Sequence, residues 1–508
     1  MRSLLTPVLT LSLLCSGTLP LTAMQHVDSV TIQNTTDQTS GTAPSSSASI
    51  VVDVQKTIRV VNPRMFGINT AVWDSNLDTP WTIRHLKEMG IGILRFPGGS
   101  ASDGYNWQTN RQDQNTYTWA TDFDQFAHVA KSIGAQAMIT VNYGSGTAKE
   151  AADWVKYSNI TKGYGFKYWE IGNEVYGSWE EDHHAIPHDP YTYASEAVKY
   201  IHAMKAVDPS IKIGVVVETG QNAYANNHDH SATNPVTGKT HYGWTPVVLS
   251  IMRSLHTFPD FLIYHRYDQA PGKETDAGLL QDAKTWKNDA ADLEKMKNDY
   301  FGKQGRKVQI VCTENNSVYS NTGKQTTSIV NALFLDDSLC NVLKTPLQAF
   351  IWWDLRNGPD YKNNNSPSLY GWRQYGDYGV MVGQKVLYPT FYAFEMLTHF
   401  ARGGDKIVPA RSNNTLVSCF ACRQKSGDLA LLLLNKSPDT TETANFDISG
   451  YSPASGATVY SYGIPQDDAA KNGVGDQNIA QTKFSSAAKS FSFSIAPYSI
   501  TVLVLHHK

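Results

Sequence analysis

The chain is poor in cysteine, with 5 among 508 residues. Cys15 lies in the N-terminal segment, which leaves Cys312, Cys340, Cys419 and Cys422 for the rest of the chain. Cys419 and Cys422 form one Cys-x-x-Cys pair without a second pair, so the spacing does not indicate a zinc site. The residues around this pair also lack the βαβ context of a thioredoxin-like redox motif. We therefore expect packed thiols or one structural disulfide.

The sequence also lacks an excess of positive charge and, after its first residues, a long apolar run. Its 43 Lys and Arg residues and 46 Asp and Glu residues give a formal net charge of −3, and the pI is near 6.6. Binding to nucleic acid or to an anionic membrane favours a basic stripe, which is not seen. No later stretch approaches the ~18 consecutive apolar residues of a membrane span. These features argue against nucleic-acid and membrane partners.

The first residues have the pattern of a secretory signal. Arg2 supplies a positive start, LLTPVLTLSLL is a short apolar core, and LTA ends at Ala23 as a candidate cleavage site. Residues 1–23 are therefore predicted to be a signal peptide, and the mature protein to be secreted, either extracellular or periplasmic. Residues 24–48 end in QTSGTAPSSSA and are predicted to be a disordered linker rich in Ser and Thr.

Between residues 61 and 400, short β-rich runs alternate with helical patterns, which predicts an α/β fold built as a (β/α)8 TIM barrel. Eight runs are candidate strands: 66–70, 92–96, 137–142, 168–172, 212–217, 261–267, 308–313 and 349–354. Helix candidates between them are bounded by Pro or Gly, as in PWTIRHLKEMG and FDQFAHVAKSIG. The span exceeds the ~250 residues typical of this barrel, so long βα loops are expected.

The pattern changes after residue 400. Residues 401–508 contain short strands separated by Gly, Pro, Asn and Asp, such as DLALLLLNKS and SFSFSIAP. This spacing predicts a C-terminal antiparallel β-sandwich domain. The run SIVVDVQKTIRV, residues 49–60, precedes the barrel and is predicted to be a leading strand that joins the sandwich.

Two glutamates follow candidate barrel strands. Glu174 comes just after FKYWEIG, by our count the fourth strand, and Glu314 closes VQIVCT, the seventh. Because the carboxyl ends of all eight strands meet at one mouth of a barrel, these side chains are expected to converge. Glycoside hydrolysis needs two such carboxyl groups, since one protonates the leaving oxygen and the other attacks the anomeric carbon or activates water. Glu170, inside the fourth strand, is predicted to be structural.

The motif WEIGNEVYG, together with CTENN, resembles the clan A glycoside hydrolases, whose acid/base follows strand four and whose nucleophile ends strand seven. Within the clan the likeness is greatest to the α-L-arabinofuranosidase family, glycoside hydrolase family 51, and its relatives. VVDVQKTIRVVNPRMFGIN, LRFPGGSASDGYNW and GFKYWEIGNEVYGSW all follow its pattern. The resemblance covers about residues 50–400 in motifs and the rest in layout alone. It implies a retaining hydrolase with Glu174 as acid/base and Glu314 as nucleophile.

The same resemblance implies roles for four neighbouring residues. Asn173 matches the asparagine before the acid/base, which contacts the 2-hydroxyl of the sugar. Arg95 in LRFPGG matches a second-strand arginine near the nucleophile, where its charge is expected to lower the nucleophile's pKa. His265 and Tyr267 match the sixth-strand His-x-Tyr, whose tyrosine hydrogen-bonds the nucleophile. The negative nucleophile is expected to raise the pKa of the acid/base in turn.

Two positions depart from the family's pattern. The family usually reads Arg-x-Pro-Gly-Gly-Asn, and the sixth position here is Ser100. It also carries a glutamate four residues beyond the first strand's glycine, where this chain has Ala71. Both family residues help to hold an arabinofuranose ring. The resemblance therefore implies the catalytic machinery but leaves the furanose pocket open.

Aromatic residues are frequent in the loop after the eighth strand, RNGPDYKNNNSPSLYGWRQYGDYG. Aromatic faces stack on sugar rings, so two or more are expected to serve as platforms in a long cleft, although packing against helices is the alternative for each. Trp353, at the end of the eighth strand, is the preferred candidate, and Trp107, which follows the second strand, is another. Asn142, at the end of the third strand, is assigned to the same mouth as a binding or supporting residue.

Two polar loops are rich in histidine, EEDHHAIPH and NNHDHS. Neither has the HExxH spacing of a metallohydrolase. We expect these histidines to be solvated, and we expect no metal site and no cofactor.

The sequence therefore predicts a secreted retaining glycoside hydrolase that acts on a plant-type polysaccharide or oligosaccharide, with α-L-arabinofuranosidase as the best single name. An endo-β-1,4-glycanase, either a glucanase or a xylanase, is the alternative that Ser100, Ala71 and the aromatic loop favour. A third interpretation is a non-catalytic carbohydrate-binding protein, which the presence of both glutamates opposes. A metallohydrolase is a fourth. Nothing in the sequence fixes an oligomeric state.

Overall fold

The computed structural model describes residues 45–112 and 117–508, so the predicted signal peptide, Cys15 and most of the predicted linker lie outside the described residues. Numbered along the chain, the helices are α1 (Pro80–Glu88), α2 (Phe123–Ile133), α3 (Ala148–Val155), α4 (Pro190–Val207), α5 (Trp244–Ser254), α6 (Asp276–Asp282), α7 (Trp286–Phe301), α8 (Ile329–Val342), α9 (Pro389–Phe400) and α10 (Ile464–Asn472). Short 3₁₀ turns cover Pro63–Met65, Gly99–Gly104, Ala283–Thr285 and Gly302–Lys307.

Eight parallel strands form a barrel, and each overlaps one of the eight candidate strands. Numbered along the whole chain, they are β3 (Gly67–Asn69), β4 (Ile93–Phe96), β7 (Gln136–Val141), β8 (Tyr168–Ile171), β9 (Lys212–Val216), β12 (Phe261–Gln269), β13 (Gln309–Val318) and β14 (Ile351–Trp352). They pair in the order β13-β12-β9-β8-β7-β4-β3-β14, and a parallel bridge between Cys312 and Phe350 closes the ring. The predicted TIM barrel is confirmed.

The loops and helices around the barrel follow from local sequence. Three short ribbons lie in the βα loops: β5 (Tyr105–Asn106) with β6 (Arg111–Gln112), β10 (Ala232–Thr233) with β11 (Thr240–His241), and β15 (Met381–Val382) with β16 (Val386–Leu387). Asp122 and Gln125 form a reciprocal capping box at the start of α2, and Gly134 ends that helix with a φ of 71°. This positive φ is a conformation that glycine adopts at little cost.

Two further sheets form a sandwich. One has the order β18-β1-β21-β24 and contains β1 (Ser45–Asp53), β18 (Ala410–Ser412), β21 (Thr441–Ser449) and β24 (Ser490–Ile495). The other has the order β2-β17-β19-β20-β25-β22-β23 and contains β2 (Arg59–Val60), β17 (Lys406–Val408), β19 (Val417–Arg423), β20 (Leu429–Asn435), β22 (Pro453–Gly463), β23 (Ala480–Phe484) and β25 (Ser499–His507). The predicted C-terminal β-sandwich is confirmed.

The leading strand differs from the prediction in three ways. It begins at Ser45, so residues 45–48, which we predicted to be linker, are part of β1. Ala48, Ile50 and Val52 are buried while Ser47, Ser49 and Val51 are exposed, so Ser47 and Ser49 occupy outward positions of a two-sided strand. The chain then crosses to the second sheet as β2, and β1 pairs in parallel with β21.

The barrel and the sandwich share a buried boundary. Helices α8 and α9 lie against the seven-stranded sheet, and α8 is buried along nearly its whole length. Lys436 of the sandwich donates a hydrogen bond to Asp337 of α8 over 2.9 Å, and both side chains are buried. The four described cysteines are buried free thiols, so the packed-thiol alternative holds for them. Within the described residues, no helix has both the length and the apolar character needed to cross a membrane.

Candidate active site

Glu174 lies in a turn directly after β8. Gly172 has a φ of 74°, and a Cβ atom there would lie 2.5 Å from Val175 Cγ2, so a side chain does not fit. The backbone N–H of Asn173 donates to Asp103 Oδ2 over 2.9 Å. Glu174 itself has a φ of 41°, a conformation that few residues other than glycine adopt. The turn therefore holds the Glu174 carboxylate in one direction, towards the mouth of the barrel.

Glu314 is placed by the pairing of β12 with β13. The register shifts between Tyr264 and His265, so that His265 lies opposite Glu314. His265 and Tyr267 are two residues apart on a strand and therefore point to the same face. We expected the seventh strand to end before Glu314, but β13 continues to Val318, and the irregular register rather than the strand end directs the carboxylate.

Both oxygens of Glu314 accept hydrogen bonds from predicted site residues. The hydroxyl of Tyr267 donates to Oε1 over 2.5 Å, and Arg95 Nη1 donates to Oε2 over 3.0 Å. Bonds to a charged oxygen of this kind are short and strong, and they fix the rotamer of the carboxylate. The sequence predicted the proximity of all three side chains.

Arg95 is fully buried beneath the cavity floor, where it joins several strands. Its Nε donates to Glu170 Oε2 over 2.6 Å, and its Nη2 donates to Asn173 Oδ1 over 2.8 Å. Thr140 also donates to Glu170 Oε2, over 2.7 Å. Glu170 has no exposed surface, so it balances the buried guanidinium and does not face the cavity.

His265 connects the two candidate catalytic glutamates. Its Nδ1 lies 2.9 Å from Glu174 Oε1, and its Nε2 lies 3.1 Å from Thr313 Oγ1. Trp179 Nε1 donates to the other oxygen of Glu174 over 3.0 Å. Ligand-type atoms of Glu174, His265 and Glu314 lie within 4.8 Å of one another, so the group also has the geometry to hold a cation. Glu174 and His265 are bonded to each other, and Glu314 is bonded to Tyr267 and Arg95, so each of the three side chains already has a partner within the protein.

The pKa directions of the pair reverse what the sequence led us to expect. Burial alone raises the pKa of Glu174, but the hydrogen bond and the charge of His265 outweigh it, and the net direction is down. Burial raises the pKa of Glu314, and the charges of His265 and Arg95 offset only part of that rise. Burial lowers the pKa of His265, yet the two carboxylates outweigh burial and raise it. The proton shared between Glu174 and His265 therefore favours the histidine.

A cavity of about 870 Å³ opens above the two glutamates. Trp353 and Tyr378 line it, as predicted for aromatic residues at and after the eighth strand. Other aromatic rings come from loops after the fourth, fifth and seventh strands, and these are Tyr176, Trp179, Tyr224 and Tyr319. No periodic pattern in the sequence identifies this second group, because these four residues lie in irregular βα loops.

Besides the buried Arg95, two predicted residues do not line this cavity. Trp107 stacks on Trp154 of α3, with ring centroids 6.0 Å apart and planes within 8°, so it packs a loop against a helix. The placement of Trp107 as a sugar platform is therefore wrong in this structure. Asn142 accepts hydrogen bonds from the backbone of Ser145 and Gly146, each over 3.0 Å, so it shapes the loop after β7. Asn142 supports the mouth without facing it.

Two further carboxyl groups near the cavity were not found from the sequence. Glu218 lines the cavity just past β9, and burial raises its pKa to about 7. Glu180 accepts hydrogen bonds from Ser100 over 2.8 Å and from Asn173 Nδ2 over 2.9 Å, and burial raises its pKa to about 9. The position of Glu218 after the fifth candidate strand is the same signal that identified Glu174, whereas Glu180 lies in a loop without any pattern.

Two histidines of the loop EEDHHAIPH have partners within the protein. His184 Nδ1 lies 2.7 Å from Asp182 Oδ1, and its ring stacks on Tyr143 at 4.5 Å. The backbone of His188 donates to Asp182 Oδ2 over 2.8 Å. These two histidines hold the loop that follows Glu174, and the prediction that they are solvated is wrong.

The barrel, the sandwich and the glutamate pair together define an architecture that resembles clan A glycoside hydrolases, and the likeness to α-L-arabinofuranosidases predicted from the motifs is confirmed. No protein-family model matches the chain. The chain is 30% identical over 155 residues to α-L-arabinofuranosidase C of Emericella nidulans and, over the same length, 30% identical to intracellular exo-α-(1→5)-L-arabinofuranosidase 1 of Bacillus subtilis. In both cases the match covers 25% of this chain and 30% of the relative.

Solved structures share the fold over nearly the whole chain. An α-L-arabinofuranosidase from Thermotoga maritima, in complex with arabinose, has a TM-score of 0.68 and 19% identity, and the match covers 90% of this chain and 100% of that one. CelM2, a bifunctional glucanase-xylanase from a metagenome library, has a TM-score of 0.64 and 18% identity, with coverage of 91% and 99%. At these identities the likeness shows a common fold.

Proposed function

We propose that this protein is a retaining glycoside hydrolase. The observation that carries the proposal is the convergence of Glu174 and Glu314 after the fourth and seventh barrel strands, with oxygens within 4.8 Å of each other beneath an open cavity. Retaining enzymes hold their two carboxyl groups about 5–5.5 Å apart, whereas inverting enzymes leave about 6.5–9.5 Å for a water molecule. The close spacing favours a double displacement.

In the first step Glu314 attacks the anomeric carbon while the glycosidic C–O bond breaks. Glu174 gives its proton to the leaving oxygen, and the sugar becomes an ester of Glu314. In the second step Glu174 takes a proton from water, which attacks the same carbon and releases Glu314. Tyr267 and Arg95 keep Glu314 oriented, and their bonds favour its charged form before attack and after release.

His265 supplies the proton that Glu174 needs. Because the proton favours His265, the Glu174 carboxylate 2.9 Å from Nδ1 must receive it before the glycosidic bond breaks. A leaving-group oxygen that replaces the Trp179 hydrogen bond removes one of the contacts that lower the pKa of Glu174. Substrate binding thereby shifts the proton towards the acid.

The substrate we propose is an α-L-arabinofuranoside in a plant-type polysaccharide or oligosaccharide. The names of both curated relatives and the resemblance around Arg95 and Asn173 support it. At the two departures from the family, Ser100 is bonded to Glu180, and Ala71 is buried beside Gly98, 3.1 Å from where a Cβ atom of that glycine would be. Free arabinose as the only product from arabinan and arabinoxylan is the expected result of product analysis.

An endo-β-1,4-glycanase is the second candidate. The exposed rings of Trp179 and Tyr319, 56% and 59% accessible at the rim of the cavity, favour it because they extend the aromatic lining outwards. The same product analysis with xylan, cellulose and mixed-linkage glucan tests it. A ladder of oligosaccharides without free arabinose would replace the first candidate with the second.

Two controls address the remaining interpretations. Glu314→Gln keeps the shape of the side chain, so we expect it to abolish turnover and retain sugar binding; activity equal to the parent would overturn the assignment. A metallohydrolase would lose activity with a chelator, and we expect the activity of this protein to be unchanged.

We also propose that the protein is secreted through its N-terminal segment. N-terminal sequencing of protein from the culture medium should give a sequence that begins after the predicted signal peptide.

A further inference from the structure

A second large groove lies outside the candidate active site, between the barrel and the sandwich. Its volume is about 1050 Å³. The barrel contributes the start of α6 and the loops after the seventh and eighth strands, and the sandwich side contributes the loop after β20, helix α10 and the loop before β25. This groove contains part of the aromatic loop that the sequence singled out and that the first cavity leaves unused.

Three aromatic rings line the groove. Tyr370 and Tyr498 meet edge to face, with ring centroids 5.1 Å apart. Trp372 is half-buried, and the guanidinium of Arg373 lies 4.1 Å from its ring centroid. Arg373 is itself fixed by a bond of 2.9 Å to Asp467. The buried ion pair with Asp467 thus fixes the Arg373 guanidinium against the Trp372 ring, and the ring also borders the groove.

Two polar side chains offer hydrogen-bond donors in the groove. Lys324 and Tyr498 are 5% and 4% exposed, and both line the groove. Among the described residues, neither the Lys324 ammonium nor the Tyr498 hydroxyl makes a hydrogen bond to another protein group, and neither is among the fully enclosed polar atoms. Each therefore keeps a donor free for a ligand that enters the groove, and the charge of Lys324 also acts on the nearby Asp276.

The hydrogen-bonding groups and aromatic rings of the groove indicate which class of ligand it binds. Asp276 accepts bonds from Gln325 and from the backbone of Tyr370, over 2.9 Å and 2.6 Å, so it is already satisfied. Lys324 and Tyr498 therefore offer donors beside the aromatic rings, and the exposed carboxylate of Asp468 offers an acceptor at the same groove. A sugar chain offers both complements, since its hydroxyl oxygens accept hydrogen bonds and its rings present C–H faces to aromatic side chains.

We propose that this groove is a second carbohydrate site, which holds a neutral polysaccharide chain apart from the bond being cleaved. The choice of ligand rests on the proposed function. A site of this kind raises the local concentration of polymer near the first cavity, because two sites on one molecule bind one long chain with an effective concentration set by their separation. It should matter for polymers and not for small aryl glycosides.

The test separates binding from hydrolysis. Affinity for soluble arabinan and arabinoxylan is measured by gel retardation in a Glu314→Gln background, where the polymer is not degraded. We expect Trp372→Ala to weaken binding roughly fivefold to tenfold, since a lost aromatic contact of this kind corresponds to about that change in affinity. Tyr498→Phe, which removes one hydroxyl and keeps the ring packing, should weaken it by roughly twofold to tenfold.

Tyr361→Ala is the matched control. Tyr361 lies in the same loop, is 67% exposed and does not line the groove, so its loss should leave polymer binding unchanged. With Glu314 restored, all three variants should hydrolyse an aryl glycoside at the parent rate. Polymer affinity of both groove variants equal to that of the parent would overturn the proposal. Because binding is measured without turnover, this result would leave the proposed hydrolase intact, and absence of any turnover in the parent would leave the groove test valid.

Discussion

The hydroxyl of Tyr267 donates a hydrogen bond of 2.5 Å to Glu314 Oε1, across the neighbouring strands β12 and β13. Tyr267→Phe removes this donor and keeps the ring. We expect kcat/KM to fall roughly 100-fold, the cost typical of losing one donor to a reacting oxygen. The bond lowers the pKa of Glu314, so its loss should raise that pKa further. Glu314 must be ionised to attack, and activity on the acid side should therefore disappear at a higher pH than in the parent.

Rates measured across pH with an aryl glycoside check this prediction. Tyr361→Phe is the matched control, because Tyr361 is exposed and does not line the cavity. An unchanged acid limb in Tyr267→Phe would mean that the bond does not hold the charge of the nucleophile.

A substitution of His265 should move the alkaline limb of the pH profile, whereas Tyr267→Phe moves the acid limb. The hydrogen bond and charge of His265 outweigh burial and lower the pKa of Glu174. In His265→Gln the charge is gone, so the pKa of Glu174 should rise. In the parent the proton is held on His265, whose raised pKa sets the alkaline limb. In the variant Glu174 itself must hold the proton, and a carboxyl group ordinarily loses it at a lower pH than a histidine. The alkaline limb should therefore move to lower pH, while kcat falls because the proton relay is lost.

Trp179→Phe gives a graded comparison for the same limb. Its indole N–H is a neutral donor to Glu174 over 3.0 Å, and the side chain is 56% exposed, so the fold should not depend on it. Loss of this donor should raise the pKa of Glu174 and move the alkaline limb slightly to higher pH, a smaller shift than that of His265→Gln. A larger shift than that of His265→Gln would contradict the leading effect assigned to the imidazole.

The stability of the folded protein should depend on pH through Glu180. Burial, with the charges of Asp103 and Glu174, raises the pKa of Glu180 from 4.5 to about 9. Below pH 4.5 both folded and unfolded chains carry the proton. Between pH 4.5 and about 9 the unfolded chain has lost it and the folded chain holds it, so the free energy of unfolding falls as pH rises through this window.

Glu180→Gln cannot ionise and should flatten this dependence. Thermal melting at three pH values within the window checks it, with Glu196→Gln, in a surface ion pair on α4, as the control. The stability of Glu180→Gln relative to the parent should increase with pH. Parallel curves for the two proteins would rule out the buried carboxyl as the source.

The barrel was predictable because its signals are local and repeated. Each strand is a short run rich in β-branched or aromatic residues, and its helix begins or ends at Pro, Asp or Gly, as Asp122 and Gly134 do for α2. The same rule located Glu174 and Glu314 at strand ends. It could equally have located Glu218, which follows IKIGVVV in the same way.

The rest depended on contacts between distant segments. Trp107 and Trp353 both follow a barrel strand, yet Trp107 meets α3 and Trp353 meets the cavity, and no pattern in the sequence distinguishes them. The pKa directions also depend on distance, since His265 lies closer to Glu174 than to Glu314, at 2.9 Å against 3.9 Å. The motifs identified Glu174, His265 and Glu314, but they did not show which of these side chains holds the proton.

The most direct measurement asks which side chain carries the sugar. In Glu174→Gln, an aryl glycoside of the sugar that the parent releases should still react with the nucleophile, because its leaving group needs no acid. Water is then poorly activated, so the glycosyl-enzyme should accumulate. Mass spectrometry of the intact and digested protein is expected to find one sugar attached to the peptide that contains Glu314. Attachment to a different residue, or a fully active variant with no adduct, would contradict the two-glutamate mechanism.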